Sequence, residues 1–154
     1  MPIEPYDFEQ SVGFWLTQTT QAYHRIFNDT ISPQGITFRQ SQVIGWLMKE
    51  GQLTQSDLAH RIGVEPPTLV GILDRMERDG WIERVACPED RRCKRIRIGS
   101  KVDQAWQKIV ECAIEVRTKS ADGLSVEEQN TLKGLLERVY KNLVPAEERQ
   151  KVAV

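Results

Sequence analysis

The stretch that decides the fold is "LTQSDLAHRIGVEPPTLVGILDRMERDGWIERV", Leu53–Val85, which carries start and stop signals for two short helices. Thr54, followed three residues later by Asp57, has the spacing of a capping box, an arrangement that opens a helix. Gly63 suits the left-handed turn that ends one. These signals predict a first short helix that begins after Thr54 and ends in a tight turn at Gly63.

A second helix follows in the same stretch. Pro66 and Pro67 are tolerated in a first helical turn because the N–H groups there have no helical partner in any case. Gly80 ends the helix, and its apolar side chains at helical spacing are Leu69, Ile72, Leu73 and Met76. The two helices predict a helix-turn-helix over residues 54–77. Helical hairpins also occur in many proteins that never bind DNA, so this pattern alone leaves the function open.

The residues after Gly80 predict a β-hairpin. Residues 81–86 and 93–98 are rich in Ile, Val and Arg, and the turn-forming segment "PEDRR" lies between them. A two-stranded ribbon directly after the second helix is the wing of a winged helix, here residues 81–98. Six basic residues stand against two acidic ones between Arg84 and Arg97, in a chain whose net charge is −1. Such a local excess on a protruding hairpin fits contact with DNA phosphates or the minor groove.

Longer amphipathic helices flank this region. Residues 7–31 carry an apolar stripe, Thr37 is a candidate cap for the next helix, and two more stripes lie within residues 100–144. These stripes exceed what one small domain buries, so they are expected to pack against a second copy of the chain. The predicted fold is mainly α with a small β-hairpin wing: a winged helix-turn-helix, residues 36–99, flanked by N- and C-terminal dimerisation helices. Residues 145–154 are expected to form a polar tail.

Composition excludes several other classes of protein. At 154 residues the chain has the length of one domain, and no apolar run approaches the roughly 18 residues that a membrane span needs. The N-terminus, "MPIEPYDFEQ", lacks the basic and apolar regions of a secretory signal. No Ser-His-Asp set, zinc motif or phosphate-binding glycine loop is present. We therefore expect neither an enzyme nor a metal or cofactor site.

The sequence from Leu58 to Ile98, "LAHRIGVEPPTLVGILDRMERDGWIERVACPEDRRCKRIRI", resembles the MarR-type family of winged-helix transcription regulators, most closely its SlyA-like branch. The most specific marks are "DRR" at residues 90–92 and "DGWIER" at residues 79–84. The resemblance covers residues 8–143 as a single MarR-type domain. It implies a homodimer whose recognition helices enter successive major grooves, an Arg at the wing tip that reaches the minor groove, and Asp90 holding the wing arginines in place.

The candidate DNA contacts lie on three elements. On the second helix of the helix-turn-helix, Pro67, Thr68 and Gly71 lie off the apolar stripe, although close relatives often have a basic residue where Gly71 stands. Arg75 either reaches a phosphate or pairs with Asp79 at i+4. The remaining candidates are Thr54, Gln55 and Ser56 at the start of the first helix, with plain capping as the alternative, and Arg91, Arg92 and Arg95 in the wing. Arg95 shares its exposed face with Arg97, and both could instead merely keep the wing soluble.

Two cysteines, Cys87 and Cys93, bracket the wing loop. A metal site needs about four ligands, and no His or further Cys lies near this pair in sequence. A reversible disulfide is open to the pair if the two residues are in register across the hairpin, and incidental thiols are the other interpretation. Since the chain has three cysteines and the length to build a core without disulfides, reduced thiols in a cytoplasm are the default expectation. Cys112, at helical spacing, is expected in the core or an interface.

Several aromatic residues are candidates for a ligand pocket between the dimerisation helices and the DNA-binding lobe, with core packing as the alternative for each. They are Trp15, Tyr23, Phe27, Phe38, Trp46 and Trp106. The resemblance implies that such a cavity binds a small aromatic anion.

The sequence thus predicts a cytoplasmic, homodimeric regulator that binds double-stranded DNA at a pseudo-palindromic site, modulated by a small aromatic ligand or a redox signal. Two alternatives remain: a winged-helix module that binds an acidic protein partner through the wing, and a thiol-based redox sensor that uses Cys87 and Cys93.

Overall fold

A computed structural model describes residues 5–149 of the chain. Helices and strands follow one another as α1 (Val12–Ile31), α2 (Phe38–Glu50), β1 (Leu53–Thr54), α3 (Gln55–Ile62), α4 (Pro66–Arg78), β2 (Ile82–Ala86), β3 (Lys94–Ile98), α5 (Lys101–Ser120), α6 (Val126–Leu143) and α7 (Ala146–Arg149). Short 3-10 turns precede and follow α1. The predicted fold class, mainly helical with a small β wing, is confirmed.

The core lies where α2, α3 and α4 meet the sheet. The apolar stripe predicted for α4 is buried as expected, with Leu69, Leu73 and Met76 fully covered. Trp81, directly after the helix, is also buried and closes the core at the start of the wing. Because these side chains fix α4 against α3 and the sheet, the polar side of α4 faces outward.

The wing is part of a three-stranded antiparallel sheet with the order β1-β3-β2. The hairpin pairs Ile82 with Ile98 and Ala86 with Lys94. The sequence did not predict β1, in which Leu53 pairs with Ile96. This two-residue strand is too short to give an alternating pattern, and it forms because β3 offers a free edge next to it.

The start of the first predicted helix and the predicted polar tail both differ from expectation. Helix α1 begins at Val12 rather than at residue 7, because the Ser11 side chain accepts a hydrogen bond from the N–H of Phe14 and caps the helix there. The predicted polar tail begins with the short helix α7, and its remainder, residues 150–154, lies outside the described residues.

Helix α6 contributes no buried residue to the chain, although it carries a row of leucines. It begins with a capping box between Ser125 and Glu128. The apolar side chains that stay exposed on α6 are Val126, Leu132, Leu135, Leu136, Tyr140 and Leu143.

Among residues 5–149, no helix combines the length and apolar character that crossing a membrane requires.

Candidate nucleic-acid interface

The helix-turn-helix has the geometry that the sequence predicts. Gly63 adopts a left-handed conformation with φ of 67°, which lets the chain reverse between α3 and α4. Ala59 is buried between the two helices. Pro67, Thr68 and Arg75 are exposed on α4, and Gly71 between them is half-buried. An outward-facing row of this kind is the part of a recognition helix that can approach base edges.

The start of α3 is capped by Thr54. Its hydroxyl accepts a hydrogen bond from the N–H of Asp57 at 3.1 Å and donates one to the Asp57 carboxylate at 2.8 Å. In a full capping box the Asp57 side chain would accept the backbone N–H of Thr54, whereas here it accepts the Thr54 hydroxyl. Gln55 is half-buried and Ser56 exposed, so the first turn of the helix remains open on one side.

Arg84, counted with the basic wing residues in the sequence, is a structural residue. Its guanidinium donates to Asp74 at 2.7 Å and to Glu77 at 3.0 Å, both on α4, and its side chain is only 15% exposed. The Arg84 backbone N–H also donates to Glu77. These bonds join the base of the wing to the recognition helix.

Arg97 is also neutralised. It lies opposite Glu83 in the hairpin, and its Nε donates to the Glu83 carboxylate at 2.6 Å. A count of charges along the sequence could not distinguish these paired arginines from free ones. The carboxylates that pair with them are distant in the chain or on the opposite strand.

The tip of the wing keeps its positive charge. Arg91, Arg92 and Lys94 are exposed, and within residues 5–149 their side chains form no hydrogen bond or ion pair. Glu89 and Asp90 are the acidic residues in the loop. The basic character predicted for the whole hairpin is thus concentrated in its distal part.

Asp90 organises this loop through the backbone. Its carboxylate accepts the N–H of Arg92 at 2.9 Å, and its carbonyl accepts the N–H of Cys93 at 3.1 Å. The resemblance implied that Asp90 holds the wing arginines; in the structure it fixes the main chain that carries them.

Arg95 lies opposite Thr54 and Val85 on the two neighbouring strands. Residues directly opposite one another share a face of the sheet, so Arg95 lies on the same face as the cap of α3. Its Nε is buried and, among the described residues, has no hydrogen-bond partner. The Arg75–Asp79 ion pair that the sequence allowed is not formed, because Asp79 pairs with Arg78 at 2.9 Å instead. This hydrogen bond from Arg78 holds the pKa of Asp79 below its ordinary value.

The structure joins Cys87 and Cys93 in a disulfide across the wing loop, so the default expectation of three reduced thiols holds here only for Cys112. Cys112 is half-buried on α5, where its thiol donates to the carbonyl of Thr30. Burial, followed by the nearby carboxylates of Glu115 and Glu111, raises the pKa of this thiol.

The predicted aromatic pocket is formed only in part. Tyr23, Phe27 and Phe38 pack together and, with Trp106, line a cavity of about 500 Å³ between α1, α2 and α5. Trp15 is instead 63% exposed near the start of α1, where it contacts Phe14. Trp46 is also elsewhere, with Lys49 and Arg61 against its ring. Helical spacing placed each aromatic residue on the apolar face of its helix, but it could not predict which of them lie at the level of the cavity.

A second cavity, of about 560 Å³, lies between α1 and the DNA-binding lobe, and of the predicted aromatic residues Phe38 alone is among those that line it. It lies where α1, α2 and α4 meet and is lined in part by His24, Phe38, Arg39, Thr68 and Arg75. Burial, and next the positive charge of Arg39, lower the pKa of His24. No sequence pattern marked its polar lining, because His24, Arg39 and Arg75 come from three separate helices.

The chain is similar to a known protein family and to several solved structures. A sequence profile of the MarR family matches residues 34–92. The solved transcriptional regulator PA3341 is 33% identical, with a TM-score of 0.77 over 86% of this chain and 98% of that one.

Two further solved structures share the fold at lower identity. BpsR of Bordetella bronchiseptica, described with the regulation of its DNA binding by 6-hydroxynicotinic acid, is 23% identical, with a TM-score of 0.81 over 89% of this chain and 98% of that one. A cysteine-to-serine mutant of MarR from E. coli, complexed with operator DNA, is 23% identical, with a TM-score of 0.80 over 88% of this chain and 99% of that one.

Proposed function

Because the chain belongs to the MarR family of transcription regulators, which are not enzymes, we propose that it is a homodimer that binds a pseudo-palindromic operator through α4 and the wing. The observation that carries this proposal is the charge distribution in the wing. Arg84 and Arg97, near its base, are bound to carboxylates, whereas Arg91 and Arg92 at its tip are exposed and have no ion pair among the described residues. The tip is therefore available for the minor groove.

Base readout is assigned to the outward side of α4. Thr68 offers a hydroxyl and a methyl group, and Pro67 an apolar surface, both exposed near the start of the helix. Gly71 adds no side chain, so base discrimination rests on few groups. Arg75, exposed one turn further along, is assigned to a phosphate.

The start of α3 and Arg95 are assigned to the DNA backbone. The first-turn N–H groups of Gln55 and Ser56 favour an anion at this end of the helix. Arg95 shares the face of the sheet on which Thr54 caps the helix, which brings a positive side chain to the same region. These contacts supply affinity and orientation rather than sequence information.

Dimerisation is supported by the exposed apolar surface of α1, α5 and α6. Trp15, Ile114 and Leu135 are each at least half exposed in the single chain. Such surface on helices that flank the DNA-binding lobe is well suited to a second copy. A two-fold axis would set the two recognition helices about 34 Å apart, one turn of DNA.

The effector is proposed to be a small aromatic anion. The second cavity has an aromatic wall at Phe38 and positive charge from Arg39 and Arg75, and Thr68 on its edge belongs to the recognition helix. A ligand there would favour one position of α4 relative to α1 and so shift the population of DNA-competent dimers. The regulation of BpsR by 6-hydroxynicotinic acid, an aromatic acid, supports this ligand class.

The wing motifs favour the SlyA-like branch within the family.

The test is the salt dependence of binding to a duplex selected from a random pool by the wild-type protein. If about three to five basic residues per protomer neutralise phosphates, the log-log slope for the dimer should be roughly −5 to −9. A slope near zero would contradict the electrostatic mechanism. Failure to retain any duplex, together with capture of acidic polypeptides by the wing, would favour the protein-interaction module instead.

A further inference from the structure

The cysteines extend the wing hairpin by one residue pair. The last paired residues of the hairpin are Ala86 and Lys94, and Cys87 and Cys93 come next on the two strands. The N–H of Cys87 donates to the carbonyl of Cys93 at 3.1 Å, and their Cα atoms are 5.5 Å apart. This separation lies within the range that disulfides adopt, and the two sulfur atoms are bonded.

The ring that this bond closes contains the residues assigned to the minor groove. Between the cysteines lie Pro88 to Arg92, including both exposed arginines of the tip. Without the disulfide, the loop is held chiefly by the two hydrogen bonds that Asp90 accepts and by the hydrogen bond between Cys87 and Cys93. All of these lie on an exposed hairpin end, where water competes for hydrogen bonds, so the covalent bond adds the main restraint on the loop.

The fold itself does not depend on the disulfide. The hairpin continues through five residue pairs, and Arg84 binds its base to α4. Ile96 and Trp81 anchor it in the core. A bond that holds only the tip assigned to DNA, on a hairpin that keeps its pairing without it, has the placement of a regulatory rather than a structural disulfide.

We propose that Cys87 and Cys93 form a reversible thiol–disulfide site, and that its oxidation by a hydroperoxide strengthens DNA binding by holding Arg91 and Arg92 in their bound arrangement. This inference rests on the proposed function and deepens it, because it adds an oxidant signal that acts at the DNA contact itself. A small aromatic ligand would act at a separate site, the cavity between α1, α2 and α4.

The chemistry needs only these two thiols and the hydroperoxide. Cys93 is half-exposed and Cys87 is 8% exposed, so the Cys93 thiolate is the nucleophile that meets the oxidant. Its sulfur attacks the peroxide, the O–O bond breaks, and an alcohol or water leaves while Cys93 becomes a sulfenic acid. The Cys87 thiolate then attacks the Cys93 sulfur, and hydroxide leaves as water. Two thiols lose two electrons and two protons, and a cellular dithiol reverses the step by exchange.

The experiment compares the affinities of oxidised and reduced protein for one selected duplex, by fluorescence anisotropy in a Cys112→Ser background that removes the third thiol. One sample is treated with stoichiometric hydrogen peroxide, the other with a phosphine reductant, and both reagents are then removed. Trypsin followed by mass spectrometry identifies the bond directly. Cleavage after Arg84, Arg91, Arg92 and Lys94 leaves peptides 85–91 and 93–94, which stay linked only in the disulfide form.

We expect the oxidised protein to bind about threefold to tenfold more tightly, the gain typical of immobilising one or two long side chains in advance. The double variant Cys87→Ser, Cys93→Ser should bind like the reduced protein and lose the response, with circular dichroism as the check on its fold. Equal affinities for samples in which the peptides are linked and unlinked would overturn the inference, as would peptides that never link. If neither form binds any duplex, the proposed function fails instead.

Discussion

Arg84 on β2 donates a hydrogen bond from its guanidinium to Asp74 on α4, at 2.7 Å. This bond connects the two elements that the proposed DNA contacts occupy, the wing and the recognition helix. It makes the angle between them a property of the folded chain rather than of the complex, so both are set in position before DNA is bound.

Removing this connection is expected to weaken folding and DNA binding without removing a DNA contact. Arg84→Ala should lower the free energy of unfolding by about 1 kcal/mol, a small value because the partner carboxylates are well exposed. Urea denaturation measures this loss. Duplex affinity should fall while the salt slope stays at the wild-type value. A reduced slope would mean that Arg84 contacts a phosphate after all.

The tip arginines should behave differently from the paired one. Arg91→Ala combined with Arg92→Ala should weaken duplex binding about tenfold or more and reduce the magnitude of the salt slope by about 2 to 4 per dimer. The matched control is Arg97→Ala, since Arg97 is already neutralised by Glu83 and should have little effect on the slope. Anisotropy titrations at several salt concentrations measure both quantities. Equal effects of the tip and control variants would contradict the assignment.

Gly99 is expected to tolerate no side chain. Its N–H donates to the Trp81 carbonyl at 2.9 Å, and an added Cβ would contact the Gly80 carbonyl oxygen and lie 2.9 Å from the Trp81 carbonyl carbon. Since these are backbone atoms that cannot turn away, Gly99→Ala should destabilise the fold by about 1–3 kcal/mol. Gly71→Ala is the control: its Cβ would meet nothing nearer than Arg75 at 3.9 Å. That change should stabilise the helix by about 0.5–1 kcal/mol in the same denaturation experiment.

Stability should fall as the pH drops through the range in which histidine titrates. Burial and then Arg39 lower the pKa of His24 below its ordinary value of 6.5, so the unfolded chain takes up a proton that the folded chain does not. Stability from this residue is therefore present above about pH 6.5 and lost as the pH falls toward the folded pKa. His24→Gln should flatten the dependence of unfolding free energy on pH between about 7.5 and 5.5. His60→Gln, which removes the ring contact with the Glu148 carbonyl, is the control, and the same flattening there would contradict the assignment.

The exposed leucines of α6 should hold the dimer together. Leu135 is 50% exposed in the single chain, and Leu135→Arg should give a monomer at concentrations where the wild type sediments as a dimer, because a buried unpaired charge costs several kcal/mol. Met48→Arg, at a residue on α2 with 42% exposure, is the matched control and should leave the dimer intact. A dimeric Leu135 variant would require a different interface.

The sequence by itself determined the order of helices α1 to α6 and of the two wing strands, including the helix-turn-helix. Thr37 caps α2 as predicted, and Gly63 and Gly80 take the left-handed conformation that suits a helix end. These are local properties, because a cap or a turn involves residues only a few positions apart. The apolar stripe of α4 was predictable for the same reason, since periodicity records which side of a helix is buried.

Only the tertiary structure decided which charges and thiols are free. Arg84 and Arg91 are alike in sequence, yet one is bound to α4 and the other is exposed at the wing tip. The strand β1, the pairing of Cys87 with Cys93, and the cavity that joins His24 to Arg75 likewise depend on segments that meet only after folding. Composition counts these groups, but Coulomb and bonding interactions depend on distance, and distances between separate elements are set by packing.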